Sequence, residues 1–152
     1  MAQIALSNDF KEFLRLLTAH EVRYLIVGGY AVAIHGHVRA TGDLDIYVDP
    51  AADNARQLVA ALREFGFEGP QINEVTFSNP SLVFSAGVEP VKLELMTTIS
   101  GLGFAECYAR RETTMLDGVP IQHLNRADLL ANKRAAGRLQ DLADIEALAR
   151  KR

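Results

Sequence analysis

Cysteine is almost missing from this chain: Cys107 is the only one in 152 residues. A single thiol excludes an internal disulfide framework and a cysteine-rich zinc site, and it fits a reducing compartment. Positive charge is also scarce, with 16 Lys+Arg against 19 Asp+Glu and a formal net charge of −3. That balance provides no broad basic field of the kind that drives non-specific nucleic-acid binding, although it leaves room for a small local patch. Long apolar runs are absent too, none approaching the ~18 residues of a membrane span. The opening MAQIALSNDFKEF mixes acidic, basic and apolar residues, where a signal peptide has a basic start and an unbroken apolar stretch. No repeat, low-complexity tract or flexible linker interrupts the chain. The expectation is a cytoplasmic protein without a membrane partner, one domain over residues 1–152. Apolar residues make up 49%, enough for a real core at this length.

What is present alternates between two periods. Ser7-Asn8-Asp9 offers caps for a helix over 8–19 with Phe10, Phe13, Leu14 and Leu17 on one face, the spacing of a core-facing helix. Tyr24–Val27 is a short apolar strand stopped by Gly28-Gly29, and AVAIHG reads as a short helix closed by Gly36. Leu44–Val48 predicts a strand, and a helix over about 51–65 follows Pro50. Three further strands are expected at Glu74–Ser78, Ser81–Ser85 and Val91–Met96. Asp117-Gly118 joins Thr113–Leu116 to Val119–His123, a strong hairpin signal. Asn125 caps a helix from Arg126, and Gly137 offers a division between it and a last helical stretch. Helices alternating with strands early and a hairpin late predict an α/β (α+β) domain, a mixed sheet flanked by helices with more helices at the C-terminal end.

The chemistry concentrates in GGYAVAIHGHVRATGDLDIYVD, residues 28–49. Glycine at 28 and 29, where a strand hands over to a helix, permits positive φ and close backbone approach, so amide N–H groups can face a phosphate. An ordinary tight turn would use the same pair. Asp43 and Asp45, two apart on a strand, put carboxylates on one face. Ionising both is costly unless a cation sits between them, and a hard divalent ion carrying a polyphosphate suits such a pair. Glu94, acidic within VKLELM, completes a triad if its strand lies beside that of the aspartates; Glu89, in a loop setting beside Pro90, is its rival. Each has a plain alternative, a turn aspartate or an exposed salt bridge.

Gly28-Gly29, Asp43-x-Asp45 and a later acidic strand residue together resemble the nucleotidyltransferase superfamily typified by DNA polymerase β. More narrowly, GGYAVAIHGHVRATGDLDI with the tail LLANKRAAGRLQDLADIEAL resembles the small bacterial proteins related to AbiEii toxins. The resemblance implies two Mg²⁺ ions holding a nucleoside triphosphate, with Asp43 and Asp45 on both ions and Glu94 sharing one while helping to deprotonate an acceptor hydroxyl. It also implies Lys133 and Arg138 as the basic residues that meet the nucleotide, with Asp141 orienting one of them. By composition alone that tail reads as a solvated face with ion pairs. Many members have Gly-Ser where this chain has Gly28-Gly29, so backbone amides take over the serine's work and Tyr30 offers a replacement hydroxyl. The third acid is glutamate where many relatives carry aspartate.

Arg39 precedes the acidic strand, placed to reach a triphosphate oxygen or to orient Asp43 through a bidentate pair; Thr41 can fix the turn. His35 and His37 raise the weaker possibility of a transition-metal site shared with the aspartates. The function expected is transfer of a nucleoside monophosphate from NTP to an acceptor: an RNA 3′ end or a protein hydroxyl first, a small molecule such as an antibiotic second. A partner antitoxin or toxin is implied by the narrower resemblance. The reading from a different class is an inactive nucleotide-binding or toxin-neutralising scaffold, and the presence of all three acids argues against it.

Overall fold

A computed structural model describes residues 4–39, 41–88 and 91–150. The first helix, α1 (Asn8–Ala19), starts where the Ser7 hydroxyl accepts from the Phe10 amide at 3.1 Å and buries the four predicted apolar residues. The strand β1 (Tyr24–Val27) is buried throughout and runs directly into α2 (Gly28–Ile34). The glycine pair therefore forms the first turn of the helix rather than a separate turn before it. Gly28 takes φ +65°, a left-handed conformation that a side chain rarely adopts. The strand β2 (Asp43–Val48) and helix α3 (Ala52–Phe65) follow as expected.

Between 74 and 78 the structure departs from the expected strand. Glu74–Phe77 is a short helix, α4, because the Asn73 carboxamide accepts from the Thr76 amide at 2.9 Å and Phe77 turns into the core. A good cap and one buried aromatic outweigh the β preference of Val-Thr-Phe. The next strand, β3 (Val83–Val88), starts two residues later than predicted. Before it, the Thr97 hydroxyl accepts from the Leu82 amide and donates to the Asn79 carbonyl. β4 (Val91–Met96) agrees with its prediction. A helix that the sequence did not announce, α5 (Phe104–Ala109), buries Phe104 and Cys107; it is six residues long and has no side-chain cap. The hairpin of β5 (Glu112–Leu116) and β6 (Val119–His123) turns at Asp117-Gly118, both at positive φ, as a type I′ turn requires. Asn125 caps α6 (Arg126–Ala136), and Gly137 at φ +64° separates it from α7 (Leu139–Ala149).

Six strands form one mixed sheet in the order β3-β4-β2-β1-β6-β5. β2 pairs antiparallel with β1 and parallel with β4. Alternation along the strands splits the apolar residues into two cores. Tyr24, Ile26, Leu44, Ile46, Leu93 and Leu95 pack with Phe10, Phe13, Leu58 and Leu62 of α1 and α3. Leu25, Val27 and Tyr47 face the other way, against Phe104, Cys107, Leu129 and Leu148. Asp45 lies between Leu44 and Ile46, so its side chain emerges on this second face, where α6 and α7 stand. No helix among the described residues is long and apolar enough to cross a membrane.

Candidate active site

Register brings the three acids together. Asp45 stands directly opposite Glu94 in the parallel β2–β4 pair, and Asp43 lies two residues before Asp45. Carboxylate oxygens of Asp43, Asp45 and Glu94 all come within 4.8 Å of one another. Burial, then the charges of Glu94 and Asp43, push the Asp45 carboxyl up to about 7, while Lys133 and Arg138 pull the other way. Three clustered carboxylates, whose mutual repulsion the nearby cations offset only in part, suit a hard divalent cation such as Mg²⁺. Glu89 lies outside the described residues.

Gly28 is demanded by this cluster as well as by its own φ. A Cβ at residue 28 would run into the Asp45 carboxylate, and one at residue 29 would come 2.5 Å from the Thr41 hydroxyl oxygen. The glycines let β1 and α2 close over the acidic strand. Thr41 Oγ1 in turn reaches the Asp43 carbonyl at 3.4 Å, holding the approach to β2 as the sequence suggested. Tyr30 goes elsewhere: its ring packs in the first core, edge-on to Phe10 at 5.9 Å, and it lines neither lobe of the cleft described below. Residues 28 and 30 sit on different sides of one helical turn, which a reading by sequence proximity could not resolve.

The basic residues come from the α6–α7 corner. Lys133 is 4% exposed, and its Nζ donates to Asp141 Oδ1 and Asp144 Oδ2, each at 3.0 Å. Arg138 donates through Nε to Asp141 Oδ2 at 2.7 Å and through Nη2 to Oδ1 at 3.2 Å, while Asp141 also accepts the Arg138 backbone N–H. Asp141 thus orients both basic residues. Despite burial, these bonds hold its carboxyl down at about 2. The turn at Gly137 makes this possible, since Lys133 and Asp141 meet across two helices rather than along one.

Arg39 closes its bidentate fork on Asp144, with Nε to Oδ1 at 2.8 Å and Nη2 to Oδ2 at 3.0 Å. Its expected bidentate partner was Asp43. Asp144 is fully buried and also accepts from Gln140 at 3.0 Å; despite that burial, Arg39 and Lys133 hold its carboxyl below the usual range. The sequence reading gave Asp144 no role. Its spacing of three from Asp141, on the same helix face, was the available signal.

The histidines do not join the acids. His35 Nε2 lies 2.9 Å from the Leu124 carbonyl, and its ring stands edge-on to His123 at 5.3 Å. With Glu112 these two form a separate group whose donor atoms are within 4.8 Å. Three of the four ring nitrogens are already engaged, since His123 Nδ1 also meets the Leu124 carbonyl and Nε2 the Thr114 hydroxyl.

A two-lobed cleft surrounds the acids. One lobe, about 420 Å³, is bordered by Gly28, Gly29, Arg39, Thr41, Asp43 and Asp141. The other, about 350 Å³, is bordered by Glu94, Met96, Thr98, Ile99, Ser100 and Asn132. Asp45, Gly28, Lys133 and Arg138 belong to both. A polar cleft with an acidic floor and cations on its wall can take a metal-bound polyphosphate and a second reactant.

Solved structures share this fold. A crystal structure of a proposed nucleotidyltransferase, TM1012 of Thermotoga maritima, superposes with a TM-score of 0.61 at 15% identity, covering 94% of this chain and 91% of that one. The lincosamide antibiotic adenylyltransferase LnuA in its lincomycin-bound form gives 0.62 at 16% identity, covering 96% and 98%. At such identities the likeness speaks for the fold. No curated protein sequence matches the chain at a significant level. A family profile described as nucleotidyltransferase of unknown function (DUF6036) matches residues 5–149. With nearly the whole chain inside that match, the protein belongs to this nucleotidyltransferase family.

Proposed function

We propose that the protein transfers a nucleoside monophosphate from a nucleoside triphosphate to an acceptor hydroxyl, with Asp43, Asp45 and Glu94 holding two Mg²⁺ ions. The observation that carries this reading is the register of β2 and β4, which sets Asp45 against Glu94 with Asp43 beside them. Two metal ions held by these carboxylates would stabilise the entering and leaving oxygens of the displacement. The chain's own residues supply the rest. Arg39, Lys133 and Arg138 offer positive charge to the phosphates, and Asp141 holds the last two in place. The backbone at Gly28-Gly29, together with Thr41, borders the same lobe. Glu94 receives the acceptor's proton as the acceptor oxygen bonds to the α-phosphorus, the bond to the α,β-bridging oxygen breaks and pyrophosphate leaves. Tyr30, packed in the core, is left out of this assignment.

The acceptor expected first from the sequence is an RNA 3′ end or a protein hydroxyl. A small-molecule acceptor gains support from the lobe beside Glu94, part of whose wall is uncharged, and from the likeness to an antibiotic adenylyltransferase. A toxin or antitoxin partner rests on the AbiEii-type resemblance of two motifs. Titration calorimetry with MgATP tests the site: wild type should bind, and Asp43→Ala with Asp45→Ala should abolish the heat. Equal binding by both proteins would remove the metal-dependent site. Label transfer from α-labelled NTP by wild type, lost in Glu94→Gln, separates an enzyme from an inactive scaffold.

A further inference from the structure

The two lobes of the cleft divide the acids unequally. Asp43 borders only the larger lobe, Glu94 only the smaller, and Asp45 both. Arg39, held by Asp144, likewise borders only the larger, which has one cation more than the smaller. The smaller lobe has a different chemistry. Apart from Glu94 and the shared Asp45, Lys133 and Arg138, its walls are uncharged. Val27, Met96 and Ile99 give it an apolar side; Thr98, Ser100 and Asn132 give it a neutral polar one.

This wall is built rather than incidental. Asn132 Nδ2 donates to the Ser100 carbonyl at 3.0 Å, tying the loop after β4 to α6. Gly101 brings that loop so close to the helix that a Cβ there would sit 2.7 Å from Ala135 Cβ. With Nδ2 so used, Asn132 Oδ1 and the hydroxyls of the exposed Thr98 and Ser100 have no hydrogen-bond partner among the described residues and are open to a ligand. Apolar surface with a few polar groups placed to fix orientation is the usual lining of a small-molecule site, and neutral hydroxyl and amide groups match hydroxyls on a ligand.

We propose that this smaller lobe is the acceptor site, and that the acceptor is a small, uncharged molecule presenting a hydroxyl to Glu94. The proposal rests on the nucleotidyltransferase reading above and names its second substrate. An anionic polymer would need cations on this side; the two present, Lys133 and Arg138, are shared with the phosphate lobe and tied to Asp141 and Asp144. In the reaction the acceptor oxygen bonds to the α-phosphorus and its proton passes to the Glu94 carboxylate. The bond from that phosphorus to the α,β-bridging oxygen breaks, and pyrophosphate leaves with the electron pair.

The experiment fills the lobe from two sides, with Ala136→Phe at the end of α6, which also borders it, and Thr98→Phe on the exposed loop, so that a folding failure of one leaves the other. Calorimetry with MgATP is followed by transfer from each α-labelled NTP in a cell extract, separated into ultrafiltrate, nuclease-sensitive and protease-sensitive fractions. The expected result is unchanged MgATP affinity in folded variants, wild-type label in the ultrafiltrate, and about tenfold or greater loss of that label in the variants. Loss of MgATP affinity in the folded variants would put the nucleoside in this lobe and overturn the proposal. So would label in RNA or protein, variants that transfer as wild type does, or a wild type that binds MgATP and labels nothing. A wild type that binds no MgATP removes the nucleotidyltransferase reading itself, and this proposal with it.

Discussion

Two clusters of charge lie side by side in this protein, and they are balanced in opposite ways. Around Lys133 the chain supplies both signs: Asp141 and Asp144 are buried, and Lys133, Arg39 and Arg138 meet them at 2.7–3.2 Å. Around Asp45 no cation pairs with the acids directly, and burial with two neighbouring carboxylates raises that carboxyl to about 7 although Lys133 and Arg138 act against the rise. The first cluster is complete in the folded chain. On the function proposed above, a divalent cation from outside would complete the second, with the first as its wall.

The largest effect is expected from breaking the balanced cluster. Lys133→Met leaves two buried carboxylates short of a partner and should cost about 3–5 kcal/mol, read as a shifted denaturant midpoint with an unchanged slope. Acid should undo the same cluster by titration. Asp141 and Asp144 have carboxyls held below the usual range, Asp141 at about 2, so they bind fewer protons folded than unfolded. The stability they contribute is full above the unfolded carboxylate range near pH ~4 and drains as pH falls towards ~2. Thermal unfolding across that window should show the loss, and Asp144→Asn should flatten it. The smallest effect sharpens the other side of the contrast. Asp45→Asn removes one like charge from the unbalanced cluster, so in buffer free of divalent ions the melting temperature should rise, by about 2–4 °C if the relief is about 1 kcal/mol. Added Mg²⁺ should stabilise wild type and leave this variant unmoved; a fall in stability of Asp45→Asn without metal would show that the triad is balanced by other means.

The parts legible in the sequence are those whose cause is local. Ser7 and Asn125 cap the helices they were expected to cap, and Asp117-Gly118 turns its hairpin. The two-residue spacing of Asp43 and Asp45 fixes a shared face on any strand. Local signals also misled where a tertiary contact outweighed them. Val75-Thr76-Phe77 reads as strand, yet Asn73 and the burial of Phe77 make it helix. Tyr30, two residues from Gly28, belongs to the opposite core.

By itself the sequence determined which residues could do chemistry: glycines where backbone must pass closely, carboxylates spaced for one face, and a basic tail with aspartates three apart. Only the tertiary structure decided who meets whom. β4 pairs with β2 in the one register that sets Glu94 beside Asp45; a shift by one residue would turn Glu94 into the apolar core. Arg39 and Asp144 are 105 residues apart, and no spacing rule reaches that far. Their bond depends on the corner at Gly137 and on α7 packing across the sheet, contacts fixed by burial of the whole apolar set rather than by any motif.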